Sequence, residues 1–273
     1  MPGRYARYRL HPFSLGEIAR SGAAPESAEA LDPEAWPAAA ASRDALETLI
    51  ELGGFPEPFL RASSRFAGKW RLLRRDLLLR EDLRDLTRIA DLAGVEHLAD
   101  LLAARVDAPV SVNNLREDLE VDHRTVRNWI EALERLYLVF RVRPYAGSLA
   151  RTLRMESMVY FWDAAEAAEG GPRFENLVAC HLLKLCHWLE DVEGVRAELR
   201  YVRDREKREV DFLVVKAGKP WVLVEAKAND LQRSPALEYF RTRLHVPFAY
   251  QVVRGCEARR GVIPATRLLA SLP

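Results

Sequence analysis

The stretch from Glu209 to Lys227 limits what this chain can fold into more than any other. Residues 209–215 and 221–227 are two runs rich in β-branched and apolar residues, and the break between them, Lys216 to Pro220, contains Gly218 and Pro220. Two such runs around such a break read as an antiparallel hairpin. With Val215 paired to Trp221 across a five-residue loop, Leu213 falls opposite Leu223 and Asp211 opposite Glu225. Side chains alternate along a strand, so Asp211, Glu225 and Lys227 then share one face. Two carboxylates directly opposed across a sheet, roughly 5 Å apart, repel each other, and a cation is expected to hold them. A divalent metal is one answer and Lys227 alone is the other. Oxygen ligands by themselves suit a hard ion such as Mg2+.

The chain has 273 residues, of which 49% are hydrophobic, enough to bury a sizeable core and to divide into two or three domains. A formal net charge of +1 names no partner. There is no run of about eighteen apolar residues, and Met1 to Tyr5 lacks the apolar segment of a secretion signal. A cytoplasmic location without membrane association is therefore expected. Three cysteines fit reduced thiols better than a disulfide framework. Cys180 and His187 fall seven apart on one predicted helix face. Without a second pair at zinc spacing they read as a buried thiol beside a helix histidine.

Taken in order, Tyr5 to Leu15 alternates like a strand ending at Pro12, after which Ser14 can cap a short helix through Ile18. Residues 20–42, rich in Ala, Pro and Glu, read as a loop or linker. Asp44 to Leu52 is a short amphipathic helix stopped by Gly53 and Gly54. A helical block over 65–106 follows, with Leu72, Leu73, Leu79, Leu83, Leu86 and Ile89 at helical spacing. Its arginines, Arg71, Arg74, Arg75, Arg80, Arg84 and Arg88, are interleaved with Asp76, Glu81, Asp82 and Asp85. Such mixed signs favour a solvated, salt-bridged surface over a phosphate-binding face.

Between Pro109 and Tyr145 the spacing predicts a helix from Ser111 to Leu119, a tight turn at Val121 and Asp122, and a second helix from Arg124 to about Leu136. Asp122 is placed to cap that second helix. Val126, Ile130, Leu133 and Leu136 form its inner stripe, leaving Arg124, Thr125, Arg127 and Asn128 outward. The pattern resembles a helix-turn-helix, whose second helix offers its first residues to base edges or phosphates. Tyr137 to Val142 and Leu153 to Trp162 would be the strands of a wing, with Arg143, Arg151 and Arg154 as candidate phosphate contacts. The same fold can also serve purely as a packing module. Trp129 and Trp221 read as packing residues.

Gly170, Gly171 and Pro172 mark a boundary. Beyond it the periodicity predicts a helix from Phe174 to Leu189 carrying Glu175, then strands at about 196–203, 209–215 and 221–227. A helix at about 234–244, a strand at 247–253 and a final helix from about 264 complete the order αβββαβ.

The spacing of Asp211, Glu225 and Lys227, an Asp followed thirteen residues later by Glu-Ala-Lys, resembles the active-site signature of the PD-(D/E)XK nuclease superfamily, and αβββαβ is that superfamily's core topology. The superfamily often adds a carboxylate from the preceding helix, a place Glu175 can fill. The resemblance implies Mg2+-assisted phosphodiester hydrolysis, with Asp211 and Glu225 holding the metal and Lys227 orienting or helping to deprotonate the attacking water. The plainer reading is a charged strand end in which Lys227 bridges two carboxylates.

Most of the chain also resembles a prokaryotic family of AAA-type ATPases that carry a winged helix and a nuclease-like domain after the ATPase core. The matching words are Gly3-Arg4, Leu10 to Glu17, Gly53 to Glu57, Arg80 to Asp85, Thr125-Val126 through Leu133-Glu134, Phe174 to Val178, Glu209 to Phe212 and Glu225 to Lys227. No Gly-x-x-x-x-Gly-Lys-Ser/Thr occurs, so no ATP site and no ATP hydrolysis are expected of this chain alone. Arg4 would fall just after the last recognisable strand of the ATPase core, so the chain is expected to be truncated or completed by a separate ATPase chain. Glu156 to Met158 lacks the Pro-Lys that often precedes the family's aromatic strand.

The expected architecture is multidomain, α+β and α/β. A remnant of the ATPase core with the start of a helical lid occupies 1–64, and a helical lid or linker 65–106. A winged helix-turn-helix over 107–169 leads to a nuclease-like domain over 170–273. The expected function is a DNA-binding protein with a metal-dependent nuclease-like domain. The alternative is a non-catalytic nucleic-acid-binding or regulatory module that has lost ATP binding.

Overall fold

The computed structural model describes residues 8–21, 32–83, 89–145, 156–255 and 261–273. The chain divides into two compact units, residues 47–180 and residues 1–46 with 181–273, and its architecture is mixed α/β. Residues 1–46 belong to the same unit as the C-terminal residues, and the helix Gly171–Asp191 contributes to both units.

In the unit 47–180, helices Pro56–Arg61, Ser64–Leu77, Leu92–Ala103, Val112–Asp118 and His123–Arg135 precede an antiparallel pair, β1 (Val139–Pro144) and β2 (Met158–Phe161). The register runs from Val139 opposite Phe161 to Val142 opposite Met158. Val126, Ile130, Leu133 and Leu136 are buried, as their spacing predicts, and Trp129 joins them against Gly94. Ser111 and Asp122 cap their helices through the backbone N–H groups of Asn114 and Thr125. Part of the arginine-rich block lies inside rather than on a solvated surface. Arg74 lies over the Phe55 ring at 4.4 Å, and Arg75 pairs with Asp100 at 2.7 Å. Asp163 is fully buried, and burial pushes its carboxyl up while Arg71, Arg74 and Arg173 pull it down.

The other unit carries five strands: β3 (Ala197–Arg203), β4 (Glu209–Lys216), β5 (Lys219–Lys227), β6 (Phe248–Val253) and β7 (Val262–Pro264). They lie side by side in that order, β3 to β5 antiparallel and β5 to β7 parallel. The crossover helix Pro235–Arg243 joins β5 to β6, as a parallel connection requires. Leu213 pairs with Leu223 as expected, but Val215 pairs with Pro220 and Lys216 with Lys219. The loop is therefore two residues, Ala217 and Gly218, both at positive φ, the conformation that suits a tight hairpin turn. Trp221 becomes the extra residue of a bulge and packs edge-on to Trp36, with ring centroids 6.3 Å apart. Trp36 is fully buried in a 3-10 turn, Pro33–Ala38, inside the stretch read as linker. β7 is a short strand that the sequence reading does not anticipate.

Ser14 and Glu17 form a reciprocal capping box on the helix Leu15–Ala19, as Ser14 predicts. Residues 8–14 form no strand. They run along the helix Gly171–Asp191, where Arg9 meets Asp191 at 2.6 Å, Lys184 meets Glu17 at 2.5 Å, and the Leu15 N–H donates to His181 Nε2 at 2.9 Å.

His11 Nε2 and His187 Nδ1 lie 2.8 Å apart, one imidazole donating to the other. Burial, reinforced by neighbouring cations, lowers the pKa of His11 to about 3 and that of His187 to about 4. Both are neutral when folded, whereas the unfolded chain protonates near the ordinary value of about 6.5. Their contribution is thus complete above that value and is lost as the pH falls through about 4 and 3. The thermal midpoint is expected to fall between neutral pH and pH ~4, a loss on the order of a few kcal/mol. A His11→Gln, His187→Gln double variant should flatten that profile in differential scanning calorimetry.

Candidate functional site

The ends of β4 and β5 gather the three residues of the signature. Phe212 opposite Val224 extends the register toward Asp211 and Glu225. The Ala226 N–H donates to Asp211 Oδ2 at 2.8 Å, fixing that carboxylate beside β5. Lys227 Nζ stands 2.8 Å from Glu225 Oε1. Glu225 is only 4% exposed, and its second oxygen, Oε2, is buried with no hydrogen-bond partner among the described residues. Burial pushes the Glu225 carboxyl above the ordinary carboxylate range, while Lys227 and the Asp211 backbone N–H favour its charged form.

Two further residues shape the site, and the sequence reading does not single them out. Glu209 precedes Asp211 by two on the same strand, pairs with Arg203 at 3.2 Å, and is pushed up first by burial and then by the charge of Glu225. Period-two alternation from Asp211 is the signal that could have found it. Gln251, fully buried and opposite Glu225 in the β5–β6 register, secures the chain just after Lys227. Its Nε2 donates to the carbonyls of Asp230 and Gln232, both at 2.9 Å, and its Oε1 accepts from the Ser234 N–H at 2.8 Å. A glutamine inside the apolar run Phe248 to Val253 is its only trace in the sequence.

Glu175 lies in the unit 47–180, where its Oε1 accepts from the Tyr160 hydroxyl at 2.7 Å. In the same unit Arg124, Arg127 and Asn128 are exposed at the start of the helix His123–Arg135, and Arg143 is exposed on β1. Thr125 is instead half-buried, because its hydroxyl donates to Asp122 Oδ2 at 2.8 Å as part of the cap. The Thr125 N–H and hydroxyl together hold the Asp122 carboxyl below its usual range. Arg151 and Arg154 lie outside the described residues. Cys180 Sγ donates to the Phe161 carbonyl at 3.2 Å, and burial raises its pKa. Among the described residues no group of three His, Cys, Asp or Glu is gathered closely enough to hold a metal ion, and no helix is long and apolar enough to cross a membrane.

Residues 43–168 match a domain of unknown function, DUF8612, and residues 170–266 match a second domain of unknown function, DUF4143. DUF4143 occurs in AAA-ATPase-associated proteins. No curated protein and no solved structure matches the chain.

Proposed function

We propose that the five-stranded unit carries a metal-dependent phosphodiesterase site of the PD-(D/E)XK kind, acting on nucleic acid. The observation that carries this reading is Glu225 Oε2, a buried carboxylate oxygen beside Asp211 and Lys227 with no hydrogen-bond partner among the described residues. An unsatisfied buried acceptor costs about 1–3 kcal/mol, which a bound cation would offset. The donors fit Mg2+ in kind, and this ion commonly takes one or two carboxylates and completes its shell with water and substrate phosphate. Asp211 and Glu225 would hold it. When bound, the ion would supply a nucleophile near neutral pH and stabilise charge on the phosphoryl oxygens. Lys227 would orient the attacking water, and Gln251 would keep Lys227 in place by securing the chain that follows it. Glu175 is the third carboxylate that the family resemblance implies. Purified protein is expected to show Mg2+- or Mn2+-stimulated cleavage of single- or double-stranded DNA or RNA.

A non-catalytic binding module is the second reading, favoured by the Lys227–Glu225 ion pair, which neutralises the acid without a metal. Absence of cleavage on every substrate would support it.

The helix pair Val112–Asp118 and His123–Arg135, with β1 and β2, is proposed as a winged helix that contacts DNA through Arg124, Arg127, Asn128 and Arg143. Replacing Arg124 and Arg127 by Ala should weaken DNA binding and reduce its salt slope by about one for each phosphate no longer neutralised. Unchanged affinity would retire the idea. The occurrence of DUF4143 in AAA-ATPase-associated proteins supports a separate ATPase chain as a partner.

A further inference from the structure

The turn between β3 and β4, Asp204 to Arg208, lies at the end of the sheet that carries the candidate site, because β3, β4 and β5 are antiparallel in turn and β5 ends there at Lys227. One carboxylate fixes its backbone. Asp204 Oδ1 accepts from the Glu206 and Arg208 N–H groups, both at 3.0 Å, and Asp204 Oδ2 accepts from Arg208 Nε at 2.7 Å. The Asp204 N–H donates to the Arg208 carbonyl at 3.1 Å and closes the turn. The Arg208 guanidinium also lies over the Tyr239 ring at 3.8 Å, which ties the turn to the helix Pro235–Arg243.

The charges of this segment are sorted. Its acids, Asp204, Glu206 and Glu209, are all engaged locally, the first two by Arg208 and the third by Arg203. Arg205 and Lys207 are exposed at the tip and pair with no acid among the described residues. Arg243, exposed at the end of the helix, extends the cationic surface past the same tyrosine, 5.9 Å from its ring centroid. Arg208 stands three residues before Asp211, about 10 Å along an extended strand. A phosphate held at Asp211 and Glu225 therefore places its neighbours along the backbone within reach of these cations.

We propose that this turn is the phosphate grip of the candidate site, with Arg205, Lys207 and Arg243 holding the backbone of a nucleic-acid strand. The inference rests on the nucleic-acid substrate proposed above. Contacts to phosphate fix position and carry no sequence information, so the grip is indifferent to sequence and sensitive to salt.

Anisotropy of a fluorescein-labelled DNA oligonucleotide, single-stranded and duplex, titrated with the full chain in EDTA tests the grip without any cleavage. The Arg205→Ala, Lys207→Ala double variant should bind about tenfold more weakly at low salt, and its log–log salt slope should fall by about two, one for each phosphate. The same loss is expected when Arg124 and Arg127 are already replaced by Ala, which separates the turn from the winged helix. Arg205→Lys with Lys207→Arg should bind like the wild type, and Glu206→Gln, which releases Arg208, should bind more tightly. With Mg2+ the double alanine variant should raise KM and leave kcat and Mn2+ affinity unchanged. Weakened binding in a protein that cleaves nothing would keep the grip and remove the nuclease reading. Unchanged affinity and salt slope would overturn the grip whether or not the protein cleaves.

Discussion

Asp211→Asn and Glu225→Gln are each expected to lower metal-stimulated cleavage by ~10²–10³-fold, the scale seen when a preorganised charge-stabilising group is removed. In metal-free protein the same variants should leave the thermal midpoint nearly unchanged. Burial raises the pKa of Glu225 and leaves one of its oxygens without a hydrogen-bond partner among the described residues, so an uncharged amide of the same shape relieves a desolvation cost as it removes the Lys227 ion pair. Activity and stability therefore separate if the site is a built ligand cradle. If the two fall together, the acids and Lys227 are a structural clamp at a strand end.

Gly53→Ala is expected to give the largest loss of stability in the unit 47–180. Gly53 sits at φ +83°, and a Cβ there would lie 2.0 Å from Asp163 Oδ1. Asp163 is fully buried and accepts from the Ala165 N–H, so it cannot retreat into solvent. Positive φ and the clash together should cost about 3 kcal/mol or more. That lowers the melting midpoint by roughly 10 °C, as circular dichroism or calorimetry would show. A drop of only a degree or two would mean that the Asp163 turn yields.

Features governed by local chemistry are legible in the sequence. Ser14 and Asp122 announce their helices because a side-chain oxygen can satisfy an end N–H, and the stripe from Val126 to Leu136 points inward because its period is helical. The strands 209–216, 219–227 and 248–253 emerge from valine-containing apolar runs, and 197–203 from the alternation of apolar and charged residues. Where tertiary contact decides, the sequence misleads. Arg9 and His11 look like parts of a strand until Asp191 and His187 are seen beside them. Trp36 sits in a stretch that reads as linker, yet it is buried against Trp221 and Tyr250. The hairpin loop is shorter than its residues suggest because Ala217 takes a left-handed conformation more typical of glycine or asparagine. At the candidate site, the alternating pattern places Asp211, Glu225 and Lys227 together. Gln251 stays hidden because its role depends on backbone carbonyls distant in sequence.

Mn2+ titration followed by isothermal calorimetry and by the electron paramagnetic resonance signal of the free ion tests the central claim most directly, because it needs no substrate. One saturable site is predicted for the wild type, weakened severely in both Glu225→Gln and Asp211→Asn. No binding, or binding equally strong in all three proteins, would contradict it.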